Sequence, residues 1–215
     1  MDAQRKKYPR TSHWKGSLGM TSDDKMGSPE AHAYLQSGIE LIVTEKLDGS
    51  NYTIGREFSY GRSVDATTNL WDAPMRKLWS ELRWDIPANM RISGENMYAR
   101  KAISYDDMPS VFMVFGIWQD DVLLPWDEAT EWCELLGLSM VPVLYRGTDF
   151  TEATKVWGRS HDRETSEGFV IRDAGSIAYD DFPWKVLKYV RANHVTQNAA
   201  WRGRDDFPLN TFVKP

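Results

Sequence analysis

The chain has 215 residues, of which 41% are hydrophobic and 27% are charged, and its formal net charge is −5 at pH 7. This length and composition predict a globular domain with a sizeable core, and the negative charge argues mildly against nonspecific binding to nucleic acid. No apolar run reaches membrane-spanning length and the first residues lack a signal-peptide core, so we expect a cytoplasmic protein without a membrane partner. The single cysteine, Cys133, excludes an internal disulfide and a zinc site built from several cysteines.

Hydrophobic periodicity and turn signals predict more strands than helices. Two strands, at 38–46 and 52–58, are joined by a glycine-containing turn and are predicted to form a hairpin. Further strands are predicted at 89–94, 111–118, 139–145, 167–172 and 184–191. Helices are predicted at 73–84, at 127–136 with Asp127 as its cap and Gly137 as its stop, and at 151–157. The uneven order of these elements does not fit repeated βαβ units, so the predicted class is α+β with mainly antiparallel sheets.

Lys46 ends the first predicted strand, and strand alternation places it on the same face as Ile42 and Thr44. A lysine at the end of a strand built for burial can act as a nucleophile if desolvation and nearby cations lower its pKa from about 10.4. The same residues also fit a simple β-turn with a solvated lysine at the strand end. Residues 44–51 taken alone leave both interpretations open.

Residues 46–51, Lys-Leu-Asp-Gly-Ser-Asn, resemble motif I of the covalent nucleotidyltransferases, which are DNA ligases, RNA ligases and mRNA-capping enzymes. The other motifs of that superfamily are matched in the same order. Residues 59–63 resemble the arginine-bearing segment after motif I, and the later matches are 92–96 for motif III, 111–118 for motif IIIa, 167–172 for motif IV and 184–191 for motif V. The resemblance implies an adenylyltransferase domain of antiparallel sheets flanked by helices, an ATP-grasp-like fold.

The resemblance also implies roles for individual residues. Lys46 would attack the α-phosphate of ATP and hold AMP, Glu167 would orient the nucleotide or bind Mg²⁺ or Mn²⁺, and Lys188 would neutralise the α-phosphate; these three would be the catalytic residues. Nucleotide binding would involve them together with Glu45, Asn51, Arg62, Glu95 at the ribose, Phe115 at the adenine, and Lys185. RNA contacts would come from Arg62, Arg100, Lys101 and Arg191.

Each of these residues also has a purely structural interpretation. Glu95 and Glu167 could form surface ion pairs, and Phe115 could belong to the core of an apolar strand. Arg62 could be a solvated hairpin tip, and Asn51 a residue that hydrogen-bonds locally beside a turn. No P-loop motif is present, so a P-loop NTPase is not predicted. The four histidines are scattered without ligand spacing and the Asp-Asp pairs fit turns and helix caps, so none of these residues is assigned to a tight metal site.

Two departures from the superfamily bear on the substrate. Most relatives carry a second lysine two residues after the first in motif V, where this chain has Val190, so Lys185, Arg191 or an N-terminal basic residue would have to supply that cation. Residues 189–215 are too few for the OB domain of DNA ligases and capping enzymes. The expected organisation is a single domain, 1–215, with an N-terminal arm at 1–37, a catalytic core at 38–195 and a tail at 196–215.

Segments 8–13, 21–25, 94–101 and 188–195 resemble compact RNA ligases of bacteria and phages. Asp48 occupies a position where nick-sealing RNA ligases often have histidine, and so fits the broader superfamily. The expected function is ATP-dependent ligation of RNA, in which a 3′-hydroxyl and a 5′-phosphate are joined through lysyl-AMP and an adenylylated 5′ end. The partners would be ATP and RNA ends or a nicked duplex. A minimal DNA ligase and a catalytically inactive protein that binds nucleic-acid ends are the alternatives.

Overall fold

The computed structural model describes residues 5–63, 69–160, 165–192, 194 and 207–213. Its strands are β1 Ser12–His13, β2 Leu41–Lys46, β3 Ser50–Gly55, β4 Phe58–Gly61, β5 Met90–Asn96, β6 Phe112–Gln119, β7 Val122–Leu123, β8 Ser139–Met140, β9 Val143–Gly147, β10 Gly168–Asp173, β11 Ile177–Ala178 and β12 Val186–Val190. Its α-helices are α1 Pro29–Leu35, α2 Ala73–Leu82, α3 Trp126–Leu136, α4 Phe150–Ser160 and α5 Phe182–Lys185. Short 3-10 helices occupy Leu70–Asp72 and Tyr179–Asp181.

The chain divides into two compact units. One unit, here called unit 1, comprises Met1–Tyr8, Asp48–Met140 and Gly203–Pro215, and the other, unit 2, comprises Pro9–Leu47 and Val141–Arg202. The junction after Leu47 falls within the segment that resembles motif I, so Lys46 belongs to unit 2 and Asn51 to unit 1. None of the helices in the described part of the chain is long and apolar enough to cross a membrane.

Unit 2 is built on a sheet with the strand order β1-β12-β10-β2-β9. β1 runs parallel to β12, whereas the other neighbours are antiparallel. Helices α1 and α4 pack their apolar residues on this sheet, and the buried cluster includes Leu35 of α1, Trp157 of α4 and Phe169 of β10. Helix α1 begins after Ser28, whose side chain accepts a hydrogen bond from the Ala31 N–H at 3.2 Å, a normal N-cap.

Unit 1 contains the antiparallel strand order β7-β6-β5-β3-β4, with β8 parallel to β6. Helices α2 and α3 cover a core in which Tyr52, Ile54 and Phe112 are fully buried. Cys133 lies on the buried side of α3, as its place in a helical pattern predicts, and its thiol is free. Gly137 ends α3 in the left-handed conformation, with φ of 65°.

These elements confirm the α+β class with mainly antiparallel sheets. The predicted hairpin of the first two strands is wrong, because β2 pairs with β10 and β9 whereas β3 pairs with β5 and β4. The strand predicted for 139–145 is divided at Pro142, which has no N–H for a ladder. Asp127 is not the cap of α3: the helix begins at Trp126 and its N-cap is Pro125.

The strand predicted for 184–191 begins only at Val186. Lys185 instead ends the short helix α5, which has proline in its first turn, a position that proline favours. The segment predicted as an N-terminal arm contains strand β1 and helix α1. Of the predicted tail, residues 196–206 and 214–215 lie outside the described residues.

Candidate active site

Lys46 and Glu167 form a close ion pair in unit 2. Lys46 is the last residue of β2 and pairs with Gly168 of β10, so the residue just before β10, Glu167, lies next to the lysine. Lys46 Nζ donates a hydrogen bond to Glu167 Oε2 at 2.6 Å, and the two side chains are 26% and 9% exposed. The predicted nucleophile therefore lies at the partly open end of a buried strand, held by a carboxylate from the motif IV segment.

Lys188 lies on the same face of the sheet as Lys46. It pairs with Val170 of β10, which pairs in turn with Thr44 of β2, and directly paired residues of antiparallel strands share a face. Lys188 Nζ donates to Asp24 Oδ1 at 2.9 Å. Burial lowers the pKa of Lys188 below its ordinary value, an effect that Asp24 opposes and the charge of Lys46 increases.

The other sequence candidates in unit 2 lie away from this face. Glu45 pairs with Phe169, so its side chain is on the opposite face from Lys46. Lys185 Nζ lies 3.8 Å from Asp173 Oδ2 and 5.3 Å from the centre of the Tyr34 ring. The Arg191 side chain is fixed to backbone, because its Nε donates to the Ser166 carbonyl at 3.0 Å.

In unit 1, Asn51 of β3 and Glu95 of β5 are directly paired and share a face. Gly49 lies against this pair: a Cβ atom there would be 2.6 Å from both the Glu95 Cγ and the Asn96 carbonyl oxygen. The close approach in the structure is to strand β5, so the glycine has a packing reason of its own.

Phe115 occupies a β-bulge. Ser93 of β5 pairs with Gly116 and Gly94 pairs with Val114, which leaves Phe115 as an extra residue in β6. Its ring is half-buried and meets the Tyr8 ring edge-on, with 4.9 Å between centroids. A bulge redirects a side chain from the regular alternation, and this explains why an aromatic residue within an apolar strand retains an exposed portion.

The predicted RNA-contacting residues of unit 1 are on its surface. Arg62 is exposed just after β4, Arg100 is exposed, and Lys101 is half-buried. The backbone N–H of Arg100 donates to the Pro208 carbonyl at 2.8 Å, so the loop that carries it is attached to the C-terminal segment. These positions are consistent with contact to a large ligand and also with solvated surface charge.

Two buried polar residues were given no role in the site from the sequence. Asp48 is 4% exposed, and its Oδ2 accepts from the N–H groups of Ala102 and Ile103 at 2.9 and 3.2 Å. His194 is 2% exposed and its Nε2 lies 3.6 Å from Glu167 Oε1, although histidine spacing gave no sign of this. A buried carboxylate oxygen beside an imidazole nitrogen is a donor pair that a divalent cation accepts, so the surroundings of Glu167 fit a metal ligand.

The strand-end lysine and its glutamate lie on a fold that solved ATP-dependent ligases share. The family model described as RNA ligase matches residues 39–190, which include Lys46, Glu95, Glu167 and Lys188. The chain therefore belongs to the RNA ligase family. Comparison with curated proteins gives no significant match.

Solved structures share this fold at low sequence identity. An archaeal ATP-dependent RNA ligase, form 1, has a TM-score of 0.58 and 18% identity over 87% of this chain and 48% of its own. A candidate ATP-dependent DNA ligase from Aquifex aeolicus has a TM-score of 0.54 and 19% identity over 86% of this chain and 50% of its own. A mutant Naegleria gruberi RNA ligase with ATP and Mn has a TM-score of 0.52 and 15% identity over 85% of this chain and 60% of its own. The chain thus spans about half the length of the first two.

Proposed function

We propose that this chain is an ATP-dependent RNA ligase that uses Lys46 as the nucleophile of a covalent lysyl-AMP intermediate. The observation that carries the proposal is the Lys46–Glu167 pair at the end of β2, with Lys188 on the same sheet face, inside the region that matches the RNA ligase family. A protein that only binds nucleic-acid ends would not require a half-buried lysine, Lys46, hydrogen-bonded to a buried carboxylate, with Lys188 on the same face of the sheet.

The first step would join Lys46 to AMP. The neutral amine attacks the α-phosphorus of ATP, the Nζ–P bond forms, and the bond to the bridging oxygen breaks so that pyrophosphate leaves. Glu167 Oε2 already accepts a hydrogen bond from Nζ at 2.6 Å, so it lies where the proton released by the amine would go. Lys188 would stabilise the negative charge that develops on the α-phosphate, since such transfers depend mainly on positioning and on cations.

Residues of unit 1 would recognise the nucleoside. The carboxylate of Glu95 suits the ribose hydroxyls, and its neighbour Asn51 offers both a donor and an acceptor on the same face. The exposed portion of Phe115 offers a stacking surface for adenine, and the ring also packs edge-on with Tyr8. These assignments rest on side-chain chemistry and on the order of the family's motifs.

A divalent cation is the expected cofactor. The Naegleria gruberi RNA ligase mutant structure contains ATP and Mn, and in this chain Glu167 with His194 would hold such an ion. When bound, the cation would neutralise charge on the phosphates.

The next two steps would transfer AMP to a 5′-phosphate and then release it as a 3′-hydroxyl attacks, which forms the phosphodiester. The exposed Arg62 and Arg100, with Lys101 and Arg191, are the proposed contacts to the polynucleotide. The relatives include both RNA ligases and a candidate DNA ligase, so the identity of the 3′-hydroxyl strand is the property to measure.

The test is a ligation series on one nicked duplex with a ribonucleotide or a deoxyribonucleotide at the 3′-hydroxyl end, together with single-stranded and stem-loop RNAs. We expect RNA-ended nicks or RNA ends to be joined with release of AMP. Faster sealing of an all-DNA nick would make the chain a DNA ligase. Absence of both adduct and ligation would leave the inactive end-binding protein as the function.

A further inference from the structure

Residues 12–27, here called the N-terminal strap, run beside strand β12 of unit 2. β1 lies parallel to β12 with His13 in register with Lys188. The Trp14 N–H donates to the Lys188 carbonyl at 2.8 Å, and the N–H groups of Leu18 and Gly19 donate to the Val190 carbonyl at 3.1 and 2.8 Å. The strap therefore holds the backbone at the motif V lysine and at the residue two positions after it.

Side chains of the strap also surround the Lys188 ammonium group. Asp24 Oδ1 accepts from Lys188 Nζ at 2.9 Å and lies 3.2 Å from His13 Nε2. The other oxygen, Oδ2, accepts from the N–H and the hydroxyl of Thr21 at 3.1 and 2.9 Å. Burial alone would raise the pKa of Asp24, but the hydrogen bonds from Lys188 and Thr21 hold it well below its ordinary value. Asp24 is therefore a fixed, charged carboxylate.

Ser17, His13 and Asp24 resemble a hydrolytic triad by residue type, but their contacts indicate a structural role. Ser17 Oγ lies 2.6 Å from His13 Nδ1, accepts from the Val190 N–H at 2.9 Å and faces the Val190 carbonyl at 3.3 Å. His13 is fully buried, so neither residue can meet a substrate. Burial lowers the pKa of His13, as does Lys188, while Asp24 opposes the change.

The contacts around Lys188 matter because the motif V segment lacks the second lysine that most relatives carry. Val190 lies at the position of that second lysine, and its N–H donates to Ser17 Oγ. Two of the proposed substitutes are held elsewhere, because Lys185 lies by Asp173 and Arg191 donates to the Ser166 carbonyl. Of the cations in the motif V segment, Lys188 is thus the one that shares a sheet face with Lys46, and its orientation would matter more than in a two-lysine site.

We propose that Asp24 is a positioning residue for adenylylation, which holds the Lys188 ammonium group in the orientation that meets the α-phosphate of ATP. This inference rests on the proposed function. A lysine side chain has a flexible four-carbon stem and three N–H donors. The hydrogen bond from one donor to Asp24 restricts the motion of the stem and leaves two donors for phosphate oxygens. Thr21 in turn holds Asp24, so the strap acts on the reaction through Lys188.

The test measures the single-turnover rate of Lys46 adenylylation and, separately, the affinity for ATP. Asp24→Asn keeps the shape of the side chain and removes its charge, and we expect the rate to fall about 10–100-fold with less than about a threefold change in affinity, since misplaced groups lose rate rather than binding. Asp23→Asn is the matched control, because Asp23 is an exposed neighbour of the same charge. The control should stay within about twofold of wild type.

A double-mutant cycle separates action through Lys188 from a general structural effect. If Asp24 works only by placing Lys188, Asp24→Asn should slow the Lys188→Ala enzyme by no more than about twofold. If the double variant instead lost rate by the product of the two single losses, the proposal would be wrong. Thr21→Val, at an exposed position, removes one hydrogen bond to Asp24 and should slow adenylylation about two- to fivefold with an unchanged melting temperature, which keeps a test available if Asp24→Asn does not fold.

Failure of this inference differs from failure of the proposed function. A wild-type protein that forms no adduct with ATP would contradict the function itself. A wild-type protein that forms the adduct, beside an Asp24→Asn variant of equal rate, would contradict only the positioning role.

Discussion

Gly168 lies in β10, the strand between β2, which carries Lys46, and β12, which carries Lys188. Its replacement by alanine should lower both the stability of the protein and the rate of adenylylation. It pairs with Lys46 on one side and with Val190 on the other. A Cβ atom at this position would overlap the Tyr189 carbonyl oxygen and would lie 3.2 Å from the Val190 Cα. Both are backbone atoms of β12, so they cannot move aside as the end of a flexible side chain would.

The expected cost of Gly168→Ala is about 2 kcal/mol, the middle of the range for an overpacked interior. For a chain of this size, that corresponds to a fall in melting temperature of about 4–8 °C. The strand shift needed to relieve the overlap also moves Lys188 relative to Lys46, and displacements of about 1 Å can cost as much as 100-fold in rate. We therefore expect at least about a tenfold slower adenylylation.

Gly158→Ala is the matched control. It lies within helix α4, and a Cβ atom there would have no heavy atom within 4 Å. Alanine in a helix interior is favoured over glycine by about 0.5–1 kcal/mol, so this variant should melt at a slightly higher temperature and adenylylate at the wild-type rate. Thermal denaturation followed by circular dichroism and single-turnover labelling with ATP measure both effects. A Gly168→Ala protein with wild-type melting temperature and rate would refute the reasoning.

Three further predictions concern side chains of the two units. Glu167→Gln should slow adenylylation at least about 100-fold, as measured by labelled adduct formation. The control Glu152→Gln, at a partly exposed position in helix α4, should keep the wild-type rate, and a Glu167→Gln rate equal to wild type would show that Glu167 takes no part in the reaction. Phe115→Ala should weaken ATP binding by about 10-fold, the scale of one lost base–aromatic stack, and calorimetry giving an unchanged affinity would place the adenine elsewhere. Burial raises the pKa of Cys133 to about 12, so the thiol should resist alkylation at pH 8 in the folded protein and react after denaturation; rapid alkylation of the native protein would contradict its burial.

Periodicity in the sequence predicts the elements well where one face is consistently apolar. Helix α2 was predicted at 73–84 and extends over Ala73–Leu82, and the strand that leads to Lys46 is buried from Leu41 to Thr44, as its apolar run indicates. Helix α1 was missed although Ser28 and Pro29 provide its cap and first residue. That signal was present in the sequence.

Strand partners could not be predicted in the same way. Two strands joined by a short turn usually pair, yet β2 and β3 belong to different sheets, because the chain after Lys46 packs Gly49 against Glu95 and Asn96. Local patterns carry no information on which distant strand completes a ladder. The bulge that redirects Phe115 depends on the same long-range pairing.

The residues of the candidate site were also only partly predictable from the sequence. The motif order led to Lys46, Glu167 and Lys188. The structure places Lys46 on β2 and Lys188 on β12, on either side of β10, and Glu167 just before β10. Asp24 and His13 could not be found from sequence, because they meet Lys188 only after the strap has folded along β12. Spacing alone likewise gave no reason to place His194 near Glu167.

The most direct measurement of the central claim is intact-protein and peptide mass spectrometry after incubation with ATP and a divalent cation. We expect the wild-type chain to gain the mass of one adenylate, located on Lys46, and the Lys46→Ala chain to gain none. Incubation with GTP in parallel reports the nucleotide preference. An adduct that persists in the Lys46→Ala protein, or that maps to another residue, would show that Lys46 is not the nucleophile.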